Sequence, residues 1–195
     1  MKTFQNIGFI LIGSMILFTA CKSSKKATTF EKENKAVEIT LPFTGPEYSS
    51  NKDFFRARQS GASPDLPTAK KIALQNAKAE IASDIESVIK RSTDQYTTQR
   101  TIATKQEFKN KFEELSREVV KQNVVDATTA AEKVFKEKDG TYTYWVVVEV
   151  PKQSVLEGLN NNISKNQNLQ LDFEKSQYEK TFNTEMDKFE KEQTK

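Results

Sequence analysis

Residues 54–92 read FFRARQSGASPDLPTAKKIALQNAKAEIASDIESVIKRS, and this stretch decides the fold. Residues 53–63 read as a strand that ends at Gly61. A helix follows. Ser63 or Asp65 can cap it, and Pro64 and Pro67 fall in its first turn, where a missing N–H costs nothing. Ala69, Ala73, Ala77, Ile81, Ile85 and Val88 recur at helical spacing along one face. The early part of that face is alanine, and small side chains let a helix lie close on a sheet. Lys70, Lys71, Lys78, Glu80, Asp84 and Lys90 fall mostly off this stripe.

Downstream, residues 91–105 are ambiguous. Tyr96, Thr98, Arg100 and Ile102 alternate as a strand would, and a loop or a helix extension fits as well. A second helix is expected over 105–121, with Phe108, Phe112, Leu115 and Val119 as its apolar stripe. The best hairpin signal lies at 124–150: TTAAEKVFKE, a turn at Asp139-Gly140, then TYTYWVVVEV. On the second arm Tyr142, Tyr144, Val146, Val148 and Val150 share one face, and Thr143, Trp145, Val147 and Glu149 the other. That apolar content predicts a central strand or one covered on both sides. Pro151 opens another helix, and a polar break, NNNISKNQN, follows it. Residues 169–195 resume helical spacing with Leu171, Tyr178, Phe182, Met186 and Phe189. The expected class is α+β. A small sheet of about three to four strands, in strand–helix–strand–strand order, lies under the Ala-rich helix, and an extra amphipathic helix ends the chain.

Upstream, residues 1–20 hold a lysine, an apolar run over 7–18 and small residues at Thr19 and Ala20, the layout of a secretory signal. The run of about 12 residues is short of the roughly 20 that a spanning helix needs. The string Leu-Phe-Thr-Ala-Cys at 17–21 resembles a bacterial lipobox. The resemblance implies cleavage before Cys21 and lipid on its thiol and new amine, with Phe18 standing where leucine is commonest. An ordinary secretory signal and a retained membrane anchor are the alternatives. Residues 21–42 are polar, with Lys22, Lys25 and Lys26 near the anchor, and form a tether reaching roughly 25 Å from the lipid; residues 38–42 are either its end or a short strand. The folded domain is then expected at 43–160 and the terminal helix at 161–195.

Strand, Gly-containing turn, Ala-rich helix and the distant KDGTYTYWVVVEV, together with the lipobox, resemble the Lpp-twenty lipoprotein family over about half the chain. The resemblance implies a membrane-associated α+β domain. The family has no catalytic motif, so no functional residue carries over.

Bulk composition excludes several classes. Thirty Lys and Arg against 27 Asp and Glu give a net charge of +3, too even for a dedicated nucleic-acid surface. Histidine is absent, which removes the commonest general base and metal ligand. The single cysteine allows no internal disulfide. Ser87 and Lys90 match S-x-x-K, without the companion strings of penicillin-recognising enzymes. The acidic pairs Glu80/Asp84, Glu113/Glu114 and Glu185/Asp187 carry no sequence sign of burial, and no metal or cofactor motif is present.

Two readings follow. The first is a non-enzymatic, lipid-anchored periplasmic scaffold or accessory factor, held by Cys21 to the outer membrane of a bacterial envelope. It would meet an envelope protein or a second copy of itself through Tyr178, Phe182 and Phe189, unless those residues pack within the chain. The second is a ligand-binding lipoprotein that grips glycan, peptidoglycan or peptide on Tyr142, Tyr144 and Trp145.

Overall fold

The computed structural model describes residues 39–193, apart from 101 and 103. The signal segment, Cys21 and residues 22–38 of the tether lie outside the described residues. The class is α+β. Three strands, β1 (Phe54–Ser63), β2 (Thr128–Lys136) and β3 (Tyr142–Pro151), form one antiparallel sheet in the order β1-β3-β2. Among the described residues a turn of 3-10 helix at Pro46–Tyr48 and five α-helices accompany the sheet: α1 (Leu66–Gln99), α2 (Lys105–Val125), α3 (Lys152–Ile163), α4 (Gln167–Asp172) and α5 (Lys175–Gln193).

β1 does not stop at Gly61; it pairs with β3 through Ser63. Asp65 then caps α1, accepting from the Thr68 N–H at 3.0 Å. Ala69, Ala73 and Ala77 are fully buried under the sheet. A Cβ on Gly61 would stand 2.5 Å from the Ala69 carbonyl and 2.6 Å from the Ala73 nitrogen. That spacing is why glycine on the strand faces alanine on the helix: the two backbones approach to a distance that admits no further atom.

The ambiguous residues after 90 belong to α1. The helix runs on to Gln99 and Ile102 is buried beyond it. Tyr96 and Thr98 alternate within the helix, where Thr98 donates to the Asp94 carbonyl at 2.8 Å and the Tyr96 hydroxyl to that of Asp172 at 2.9 Å. Ser92 donates to the Val88 carbonyl at 2.7 Å and Thr93 to that of Ile89 at 2.8 Å, so both sit buried in a helix without an orphaned group.

The Asp139-Gly140 turn forms as expected. Glu137 N–H donates to the Thr141 carbonyl at 2.8 Å, and Gly140 takes φ 90°, a conformation only glycine adopts freely. β3 is central, as its apolar faces predict.

The terminal segment departs most from expectation. It divides into α4 and α5, and Leu171, placed on the apolar stripe, is 87% exposed on α4. The rest of the stripe is core. Tyr178, Phe182 and Met186 are no more than 1% exposed and Phe189 only 7%. Tyr178 lies 5.0 Å from Phe112, 5.6 Å from Tyr96 and 5.5 Å from Phe173, centroid to centroid. Phe182 and Phe189 both reach the ring of Phe55 on β1, at 6.4 and 6.1 Å. α5 therefore ties α1, α2 and β1 together, and residues 161–195 are no appendage to a domain at 43–160. Below residue 54, residues 39–42 form no strand; Arg58 donates to the Phe43 carbonyl at 2.7 Å and pins this segment onto the sheet.

Candidate functional site

The sheet has two unlike faces. Phe55, Ala57 and Gly61 of β1 and Tyr144, Val146, Val148 and Val150 of β3 point toward the helices. The outer face carries Arg56, Arg58 and Ser60 opposite Glu149, Val147 and Trp145. Arg56 and Glu149 pair at 2.9 Å, and both are mostly covered. Val147 is fully buried between Arg58 and Ala131 in register.

The three aromatic residues expected to form one ligand face are therefore separated. Tyr142 and Tyr144 lie on the helix side and Trp145 on the other, because a strand alternates its side chains. Tyr144 is buried; its hydroxyl donates to the Glu132 carboxylate, and the Lys70 ammonium stands 5.3 Å above its ring. Burial, with Glu132 second, pushes its phenol up from the usual range. Trp145 and Tyr142 are each partly exposed, on opposite faces, and Trp145 is flanked in register by Ser60 and Lys133. Tyr178, Phe182 and Phe189, the expected partner surface, are sealed inside the core.

Ser87 is exposed on α1, outside the groove that Lys90 borders. That groove, about 480 Å³ between α1 and α2, has Ile89 and Phe112 in its wall. Its rim charges neutralise one another, Lys109 with Asp94 at 2.6 Å and Arg117 with Glu113 at 2.7 Å. Its hydroxyls are occupied too, Thr93 on Ile89 and Ser116 on the Glu113 carbonyl. No nucleophile with an adjacent base results.

Two carboxylates are more enclosed than their sequence context indicates. Asp84 is half-buried on α1, and burial followed by the neighbouring Glu80 charge pushes it up to about 6, with the Gln193 side chain pulling the other way. Glu185, 4% exposed on α5, binds Lys188 at 2.6 Å and stands 3.7 Å from Arg91. Asp187, its expected companion, is exposed. Helix packing buries these groups, and each answers to different neighbours along the α1–α5 seam. Among the described residues no cluster of His, Cys, Asp or Glu could hold a metal, and no helix is long and apolar enough to cross a membrane.

What sequence reasoning missed is the exposure of β2, whose strand it had placed as the first arm of the hairpin. Every residue but Ala131 is exposed, and Val134 and Phe135 are among the large apolar side chains left in solvent, at 46% and 38%. Among the described residues β2 pairs only with β3. From the Glu137–Thr141 hydrogen bond, the antiparallel register directs the backbone groups of Phe135 and Lys133 toward β3. Those of Glu132, Val134 and Lys136 point to the open edge. The signal was in the sequence: TTAAEKVFK has polar residues on both faces, the pattern of a strand that nothing covers.

Compared with protein-family models, curated proteins and solved structures, the chain matches none of them.

Proposed function

We propose that this chain is a lipid-anchored, non-enzymatic protein of a bacterial envelope, on the outer membrane facing the periplasm, that works by docking protein at the open edge of its sheet. The observation that carries this reading is β2, an exposed strand with two large apolar side chains in solvent and a row of outward backbone donors and acceptors. Such an edge recognises an extended strand through main-chain hydrogen bonds. The lipobox at 17–21 and the Lpp-twenty resemblance support the anchor, and the absence of histidine from the sequence suits a role without proton-transfer chemistry. The anchor is tested by Cys21→Ala, which should move the protein from the membrane fraction to the soluble one and abolish lipid labelling. Unchanged fractionation overturns the anchor.

A second reading has one residue in its favour. Trp145 is partly exposed beside Lys133 on the outer face, a pairing that can stack on a sugar ring. It is also the chain's one tryptophan, so its fluorescence reports any such contact directly. Peptidoglycan fragments that shift the emission would support this reading; a flat titration would remove it.

A further inference from the structure

We infer that the strand docked on β2 is β2 of a second copy, antiparallel and centred on Val134; this rests on the docking reading above and names its occupant. The open edge offers the backbone groups of Glu132, Val134 and Lys136. Two such edges align their donors and acceptors only when even-numbered residues oppose even-numbered ones. Side-chain charge then selects the register. Centring on Glu132, Lys133 or Lys136 would set a like charge directly against itself, which is unfavourable. Centring further toward the N-terminus runs into the bulge between Thr129 and Ala131. Centring on Phe135 moves the charge partners into the turn beyond Lys136, where the strand has ended. Centring on Val134 opposes Val134 to Val134, Glu132 to Lys136 and Lys133 to Phe135 of the other copy. Each strand thus supplies its own complement, as a twofold interface demands.

The edge is also less guarded than its lysines suggest. Lysine on an edge strand ordinarily deters pairing. Here the Lys133 ammonium lies 5.3 Å above the Phe135 ring and that of Lys136 5.3 Å above Tyr142, folded along the sheet faces. The contact Lys133 makes with its own Phe135 can be repeated across the interface. A twofold that joins antiparallel edges into one continuous sheet stands normal to that sheet, so both outer faces lie on one side. The Phe43 segment is tied to the outer face through Arg58, so both copies present it to the same side, which suits two chains held in one bilayer. Anchoring in that bilayer raises the effective concentration that a short ladder needs.

The test is Val134→Cys in the full chain, oxidised mildly in its native membranes, with Glu118→Cys, exposed on α2, as the control for random collision. Opposed residues in this register stand about 5.5 Å apart at Cα, within disulfide reach. The expected result is a covalent dimer from Val134→Cys and little from Glu118→Cys. Adding Lys136→Glu, which sets carboxylates against each other, should sharply reduce the dimer without lowering the melting temperature. No dimer from Val134→Cys, equal dimer from both sites, or indifference to Lys136→Glu overturns the pairing. Fractionation of the same cells reports the anchor separately: protein in the soluble fraction overturns the anchor, and the comparison of the two cysteines there still judges the pairing.

Discussion

α5 and β2 make an instructive pair. α5 has an apolar stripe on a charged helix, which fits packing within the chain or a partner's surface equally in the sequence; β2 is one arm of the expected hairpin, with no cover assigned to it. The structure gives them opposite fates. The α5 stripe is sealed against Phe55, Tyr96 and Phe112, while β2 stands in solvent on all but one residue. Amphipathicity states how much apolar area a segment must hide and is silent on which neighbour hides it. The neighbour is set by topology. The order β1-β3-β2 gives β3 both flanks and leaves β1 and β2 at the two rims, and α5 sets Phe182 and Phe189 against Phe55 on the helix face of β1.

The comparison breaks most visibly by deletion. Ending the chain after Phe173 removes α5 and uncovers Phe55, Tyr96 and Phe112 together, and the remainder should lose its cooperative thermal transition. A remainder that melted normally would return α5 to the role of appendage. A single residue sharpens the point. Phe182→Ala should destabilise by about 3–5 kcal/mol, roughly 10 °C in melting temperature for a domain of this size. Phe135→Ala on β2 should stay within about 0.5 kcal/mol, as for other surface sites. Equal losses at the two phenylalanines would end the distinction.

The helix-covered face of the same sheet supplies the next test. Gly61→Ala on β1 drives a Cβ into the α1 backbone and should cost about 1–3 kcal/mol, as overpacking does. Chemical denaturation measures it. Substitution of Gly140, whose Cβ would meet nothing within 4 Å, would strain only the turn through its φ of 90°.

The smaller effects concern charge. Asp84, raised to about 6 from the ordinary 3.8, binds its proton more tightly in the folded chain than in the unfolded one. Its contribution to stability is thus fully present below about pH 4 and is lost as pH rises through 6. At pH 7 the ionised carboxylate is a cost. Asp84→Asn should therefore stabilise at pH 7 by about 1 kcal/mol once partial solvent screening is allowed for, a gain of roughly 2–4 °C. The gain should shrink to nothing near pH 4; a constant difference across that range would refute the assignment. Val134→Lys should leave the melting temperature almost unchanged, since Val134 is nearly half-exposed, and should abolish self-association in sedimentation.

Much of the architecture was legible because it is written in local periodicity. The alanine stripe of α1, the Asp65 cap, the Asp139-Gly140 turn and the alternation of β3 are local signals that tertiary packing had only to accept. Where local signals compete, as at 91–105, the sequence left strand, loop and helix extension open. The helix prevailed there because the buried hydroxyls of Ser92 and Thr93 bond their own helix and Tyr96 reaches a shared aromatic core.

By itself the sequence determined the α+β class, the hairpin, the Ala-rich helix and, through 17–21, the expectation of a lipid anchor. Only the tertiary structure decided which apolar faces are spent. It closed α5, half-buried Asp84 and left β2 open. Local pattern depends on the nearest few residues, whereas exposure depends on what the rest of the chain brings to each face.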